Sequence, residues 1–280
     1  MNAADDIDMS KLCIHTITTK PWKIEEAAQH FSAAGVKGIT IWRDALSTLE
    51  GRNIKQTGQL LLDHDLAVVS LCRGGFFAHK DSNKRKSAMD DNRRAIDEAA
   101  QLGAPLLVLV CGADQSQSLE DSRKQIQEGI AGLIPQASAA GIKLAIEPLH
   151  PMYADTRSAI NTMKQANDMA EELNSPWVGV AVDVYHVWWD QFLEKEIKRC
   201  GENGHLMAFH ICDWKVPTTD MLLDRGLMGE GCIPVKKIRS WVEAAGFSGF
   251  NEVEIFSTTH WKENQSEYLQ KIIKAYKENS

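Results

Sequence analysis

Four residues with metal-binding side chains stand at the ends of four successive apolar runs. Glu147 closes KLAI, Asp183 closes VGVAV, His210 closes LMAF and Glu254 follows NEV. Three carboxylates and an imidazole form an O₃N donor set that suits a divalent cation such as Mn²⁺, Mg²⁺, Co²⁺ or Zn²⁺. Each residue alone has an ordinary explanation. A carboxylate there can cap a helix, pair with a base or face solvent, and a histidine can be a hydrogen-bonded core residue. Four on consecutive runs point instead to one shared cation, because polar groups gathered in an apolar setting are costly without compensation.

The neighbouring residues add contacts for a substrate. His186 follows Asp183 by three positions in DVYH, where a ring N–H can donate to a substrate oxygen. Trp188 and Trp189 come next, Trp42 ends an earlier apolar run, and Trp214 follows His210. Indole faces can wall a sugar or polyol, or simply pack against rim helices. Further on, Asp224-Arg225-Gly226-Leu227-Met228-Gly229-Glu230-Gly231 puts three glycines within six residues, a loop whose backbone approaches something closely. Arg225 suits a carbonyl, carboxylate or phosphate oxygen; a salt bridge with Asp213 or Asp224 is the structural alternative. Without a GKS or GKT ending, this is no P-loop.

To bring four distant residues together, the elements must alternate in type. Short runs rich in Val, Ile and Leu predict strands at Leu12–Thr16, Gly38–Trp42, Ala67–Leu71, Leu106–Cys111, Lys143–Glu147, Val178–Asp183, Met207–Ile211 and Glu252–Phe256. Helical periodicity covers Ile24–Ala34, Ser82–Gln101, Leu119–Ala140, Ser158–Leu173, Asp190–Cys200, Val235–Ala245 and about Asn264–Tyr276. The phrase AAG recurs in AAGVKGITI, AAGIKLAIE and AAGFSGFNEVEI: a helix closed by glycine, then a strand. This pattern in 280 residues fits an α/β chain folded as one (β/α)₈ TIM barrel spanning residues 1–280, since roughly 250 residues is typical. A doubly wound sheet would more often carry a Gly-rich turn after the first strand, and CIHTITTKPW has none. In the barrel, the C-terminal strand ends form the active-site rim, so all four residues would share one mouth.

Bulk properties narrow the partners. A hydrophobic fraction of 44%, a charged fraction of 25% and a net charge of -7 describe an ordinary soluble protein and argue against a nucleic-acid partner. MNAADDIDMS lacks the basic and apolar regions of a signal peptide, and no apolar run approaches the roughly 18 residues of a membrane span. The six cysteines form no CxxC pair and most lie in strand-like runs. They read as reduced core residues of a cytoplasmic protein.

AIEPLHP, AVDVYHVWW, FHICDW, RGLMGEG and EVEIFS together resemble the sugar phosphate isomerase/epimerase superfamily, the xylose-isomerase-like TIM barrels. The nearer groups are the D-tagatose 3-epimerase-like, hydroxypyruvate isomerase-like and inosose isomerase or dehydratase-like enzymes. The likeness is strongest over Gly141–Ser257. It implies that Glu147, Asp183, His210 and Glu254 bind a catalytic divalent metal, often Mn²⁺. It also implies that Arg225 holds substrate oxygens, and that Glu147 and Glu254 move protons on opposite faces of the substrate. One departure stands out. Many ketose 3-epimerase-like members carry another glutamate six residues after the first metal glutamate, where this chain has Tyr153. His150 or Tyr153 would supply the polar contact instead. The long segment Asp213–Gly231, with Lys215 near the strand end, would recognise a larger or oxidised sugar or act as a lid.

The expected activity is isomerisation or epimerisation of a sugar, keto-sugar or inosose through a metal-stabilised enediolate. The alternative is a lyase, an inosose dehydratase or an enzyme eliminating from a 3-keto glycoside. A noncatalytic sugar-binding subunit would not need two proton-transfer carboxylates. Endonuclease-like relatives on the same barrel use a histidine-rich three-metal centre. Here only His186 and His210, of nine histidines, stand in convincing positions. By the same resemblance, a homodimer or homotetramer is expected.

Overall fold

The computed structural model describes residues 8–49, 51 and 53–280. Most of the acidic N-terminal stretch read above, residues 1–7, lies outside the described residues. In chain order the elements begin β1 (Leu12–His15), α1 (Ile24–Ala33), β2 (Gly38–Trp42), α2 (Arg43–Leu46), α3 (Ile54–Asp63) and β3 (Ala67–Gly75). Next come α4 (Ser82–Leu102), β4 (Leu106–Val110), α5 (Leu119–Ala140), β5 (Lys143–Glu147), α6 (Met163–Leu173), β6 (Val178–Asp183) and α7 (Val184–Val187). The chain continues through α8 (Leu193–Glu202), β7 (Leu206–Ile211), β8 (Asp213–Trp214), β9 (Arg225–Gly226), α9 (Val235–Ala244), β10 (Asn251–Val253) and α10 (Gln265–Asn279).

Eight strands close into a parallel barrel in the order β1-β10-β7-β6-β5-β4-β3-β2, while β8 and β9 form a separate antiparallel pair above its rim. The expected (β/α)₈ architecture is present. Gly35, Gly141 and Gly246, the glycines of the AAG phrases, have φ of 78, 71 and 92°, the left-handed conformation that ends a helix without steric cost.

The strands alternate between a helix-facing side and the barrel interior. Leu12, Ile14, Leu107, Leu109, Leu144, Ile146, Val180 and Val182 pack under the helices in the main core. Cys72, Leu106, Val108, Ala145, Ala181 and Ala208 fill the interior with mostly small side chains. Because the strand period is two, the next inward positions after Ala145, Ala181 and Ala208 are Glu147, Asp183 and His210. All six cysteines are free; five are buried and Cys232 is exposed.

Several sequence expectations need correction: the eighth strand spans Asn251–Val253 rather than Glu252–Phe256, and the third runs on to Gly75. Helix α3 lies outside the segments that the sequence periodicity singles out. Its apolar stripe is interrupted by Gly58, which the packing requires because a Cβ there would lie 2.4 Å from the Leu102 carbonyl oxygen. The helix expected from Ser158 starts at Met163, since Thr162 caps it by accepting from the Gln165 amide and Ser158 bridges to Gly112 instead. The helix expected from Asp190 starts at Leu193, with the Asp190 carboxylate accepting from the Phe192 amide in the preceding turn.

Candidate metal and substrate site

Glu147, Asp183, His210 and Glu254 each offer a buried donor atom, and these four atoms lie within 4.8 Å of one another. Strand order explains the convergence: β5, β6, β7 and β10 are consecutive around the barrel, and each donor leaves the same rim. Glu254 sits one residue beyond β10, where its amide still donates to the Ile211 carbonyl oxygen and fixes the backbone.

The donor set fits a cation. Glu147 Oε1 and His210 Nδ1 approach to 3.1 Å, yet both are buried without a hydrogen-bond partner. Asp183 divides its two oxygens: Oδ1 accepts from the Tyr185 amide and caps α7, while Oδ2 accepts from Arg225 Nη1 at 3.0 Å. Burial pushes the Asp183 carboxyl up even against the Arg225 charge, and Glu254 and Glu147 push it further the same way. A divalent cation relieves this crowding of negative charge, and the set of three carboxylate oxygens and one imidazole nitrogen suits it.

Arg225 is committed to this cage. Its Nη1 donates to Asp183 Oδ2 and Glu254 Oε2, each at 3.0 Å, and its guanidinium lies 4.3 Å from the Tyr185 ring centroid. It therefore pairs with neither Asp213 nor Asp224, the partners weighed from sequence. Asp213 accepts instead from the amides of Gly229, Gly231 and Ile233 at 2.9 Å and of Trp214 at 2.8 Å. The close approach marked by the glycines is thus made to Asp213 and Trp214: a Cβ on Gly231 would lie 2.0 Å from the Trp214 carbonyl oxygen. Asp224 holds the Lys215 ammonium at 2.9 Å.

His186 lies 3.2 Å from Arg225 Nη2 through its Nε2. Burial and the Arg225 charge hold its pKa well below the usual imidazole range, so the ring is neutral. Since Arg225 can only donate, Nε2 accepts and the proton resides on Nδ1, which is buried and unpartnered.

Beneath the cage lies a polar layer that the sequence reading missed. Glu252 Oε2 accepts from the hydroxyls of Thr40 at 2.6 Å and Ser70 at 3.2 Å, and lies 3.1 Å from His15 Nε2. His15 Nδ1 lies 3.1 Å from Glu254 Oε1, and His210 Nε2 lies 3.8 Å from Glu252. Burial alone would lower both imidazoles, but Glu254 and Glu252 raise His15 to about 9, and Glu252 and Glu147 raise His210 to about 10. Glu252 thus stands behind a cage ligand, a position from which outer groups orient and strengthen ligand histidines. The available signal was the two-residue spacing of Glu252 and Glu254, which puts both on the inward side of β10 and its extension.

The cage opens into a cavity of about 30 Å³ lined by Glu147, Glu254, His186, Arg225, Tyr153, Trp42, Phe256, Leu222, Arg73 and Arg157, among others. Trp42, Arg73, Leu222 and Phe256 also face an outer cleft of about 610 Å³. Trp214 stacks on Tyr185 with centroids 4.8 Å apart, and Trp188 lies 5.8 Å from Trp214 behind it. His150 packs between Trp189 and Trp214 and accepts from the Met152 amide. These three and Lys215 therefore surround the loop over the site, while Trp42, Tyr153, His186 and Arg225 reach the cavity itself.

With this geometry in view, a family model described as xylose isomerase-like TIM barrel matches residues 28–278. The chain belongs to that family. Among curated relatives, the putative L-ribulose-5-phosphate 3-epimerase SgbU of Haemophilus influenzae is 25% identical over 228 residues, covering 78% of this chain and 75% of its own. Among solved structures, protein SMc04130 from Sinorhizobium meliloti 1021 superposes with a TM-score of 0.91 at 46% identity, over 96% of this chain and 98% of its own. The IOLI protein with a bound zinc atom has the same fold, with a TM-score of 0.84 at 21% identity over 95% and 96% of the two chains. The xylose isomerase-like chain described here thus sits in a sugar isomerase and epimerase superfamily. Among its described residues, no helix is long and apolar enough to cross a membrane.

Proposed function

We propose that this chain is a divalent-metal-dependent isomerase or epimerase of a sugar, keto-sugar or inosose that works through an enediolate. The observation carrying this reading is that Glu147 and Glu254, two buried carboxylates of one donor cage, line the same cavity. Glu147, Asp183, His210 and Glu254 would hold the cation, with Mn²⁺ the expected occupant. Bound there, it would supply Lewis acidity that polarises a substrate carbonyl and acidifies the neighbouring C–H.

The chain's own residues then perform the proton transfers. One glutamate takes the proton from the carbon beside the carbonyl, leaving an enediolate. The other returns a proton. Return to the same carbon from the opposite face inverts it, an epimerisation. Return to the former carbonyl carbon, with the neighbouring hydroxyl proton passing to the former carbonyl oxygen, moves the carbonyl, an isomerisation. Arg225 keeps Asp183 and Glu254 in place through its two 3.0 Å contacts, and the His186 Nδ1–H is positioned to bind a substrate oxygen. The named activity of the SgbU relative supports the same class of chemistry.

The test is solvent deuterium exchange. Metal-loaded protein in D₂O is given a panel of ketoses, inososes and 3-keto glycosides, and recovered substrate and product are analysed by mass spectrometry. Deuterium at the carbon beside the carbonyl is expected, and Glu147→Gln or Glu254→Gln should each abolish it with the fold intact. Net loss of water or an aglycone would make the protein a lyase. Exchange that persists in both variants would overturn the assignment of these glutamates.

A further inference from the structure

Two arginines at the cavity belong neither to the cage nor, among the described residues, to any ion pair. Arg73 lies in β3 near its C-terminal end, and Arg157 lies on the loop between β5 and α6. Both line the cavity that contains Glu147 and Glu254. Arg43 and Arg199, by contrast, each hold at least two carboxylates. Among the described residues, the Arg73 and Arg157 side chains make no hydrogen bond and no salt bridge. The Arg73 guanidinium stacks 4.2 Å from the Phe76 ring centroid, and its Nε is buried without a partner. The Arg157 guanidinium lies 5.4 Å from the Tyr153 ring centroid. Burial and the nearby Arg157 charge both lower the Arg73 pKa, so the two cations repel one another across a partly desolvated space.

The charge balance shows what is missing. Within the cage, Asp183 and Glu254 are already paired with Arg225, each at 3.0 Å. Among the described residues, Arg73 and Arg157 remain without a carboxylate in ion-pair contact, Asp44 acting on Arg73 only from a distance. Ordered guanidiniums of this kind match phosphate and carboxylate oxygens, which accept their paired N–H donors. We propose that Arg73 and Arg157 form a subsite for an anionic group, a phosphate or a carboxylate, on the part of the substrate that does not enter the metal cage. The substrate class is therefore an acidic sugar derivative. This inference rests on the reading of the cage as the reacting centre.

The experiment measures binding to the metal-loaded full chain by calorimetry, using a free ketopentose, the same ketopentose 5-phosphate and a ketohexonate. The wild type should bind one anionic ligand at least about tenfold more tightly than the neutral sugar, given the usual strength of hydrogen bonds to charged groups. The anion preferred identifies phosphate or carboxylate as the recognised group. Arg73→Gln and Arg157→Gln should each remove about tenfold of that preference, and Arg73→Lys should restore part of it. Equal wild-type affinity for neutral and anionic sugars would overturn the proposal, as would a preference that survives Arg157→Gln and Arg73→Gln together. The wild-type comparison and the loop variant Arg157→Gln keep the test decisive if the buried Arg73 variants fold poorly. An anion preference without deuterium exchange would refute the isomerase reading and leave the subsite. Exchange on neutral ketoses without anion preference would do the reverse.

Discussion

Removing the phenol hydroxyls of Tyr153 and Tyr185 should unlatch the segment that covers the site. Both hydroxyls donate to the Met221 carbonyl oxygen, at 2.7 and 2.9 Å, and Leu222 beside it lines the cavity. A cavity of about 30 Å³ has room for water but not for a sugar, since small-molecule pockets commonly span about 300–1,000 Å³. For a sugar of the kind proposed above, segment 216–224 is expected to lift or shift on entry. Each hydroxyl contributes about 1 kcal/mol, so Tyr153→Phe with Tyr185→Phe should destabilise the closed arrangement by about 2 kcal/mol and populate the open one up to about 30-fold more. Met221 is exposed, so water can partly replace the lost bonds and the effect should tend toward the lower side. Phenylalanine preserves the Tyr185 ring packing on Trp214. Hydrogen exchange at the Thr258 amide reads the opening directly, because that amide donates to the Leu223 carbonyl oxygen across the closure. Exchange there should accelerate about 10- to 30-fold. An unchanged rate in a folded double variant would refute the latch.

Glu252→Gln should weaken metal binding about 10- to 100-fold, because it removes the charge behind His210 and between it and His15; titration calorimetry with Mn²⁺ or Zn²⁺ checks this, and wild-type affinity would contradict it. For the chelated protein, His15 has an ordinary value of 6.5 raised to about 9 by Glu254 and Glu252 against the opposing effect of burial. A raised folded value means that the stabilisation is complete below about pH 6.5 and is lost as pH rises through about 9. The wild-type stability advantage over His15→Gln should accordingly shrink between pH 6.5 and 9 in thermal melts, and a flat difference would count against the buried charge pair.

Much of the cage was legible because its members break a strong pattern. A polar side chain closing a fully apolar run is conspicuous, and Glu147, Asp183 and His210 each occupy the last or next-to-last position of a barrel strand. Glu252 was not legible as a supporting group. In NEVEIF its two-residue spacing from Glu254 puts both on one side of the strand, but only barrel closure brings that side against His15 and His210. Arg73 in SLCRGG and Arg157 in ADTRSA likewise carry no local sign of lacking a partner. Arg225 is visible as a functional side chain, but the carboxylates near it in sequence, Asp213 and Asp224, are not its partners; the fold supplies Asp183 and Glu254 from 42 and 29 residues away.

The sequence by itself determined the repeating strand and helix order, the glycine stops and the four polar strand-end residues that become the candidate donor cage, because these depend on side-chain type and on periods of two and 3.6 residues. Tertiary structure decided which residues meet across the closed barrel. β1 pairs with β10, so His15 reaches Glu252 across 237 positions, and the segment after β8 folds back to place Met221 on two tyrosines. Such contacts depend on barrel closure and on where each neighbouring element leaves a charge unpaired. No local stretch of sequence contains either quantity.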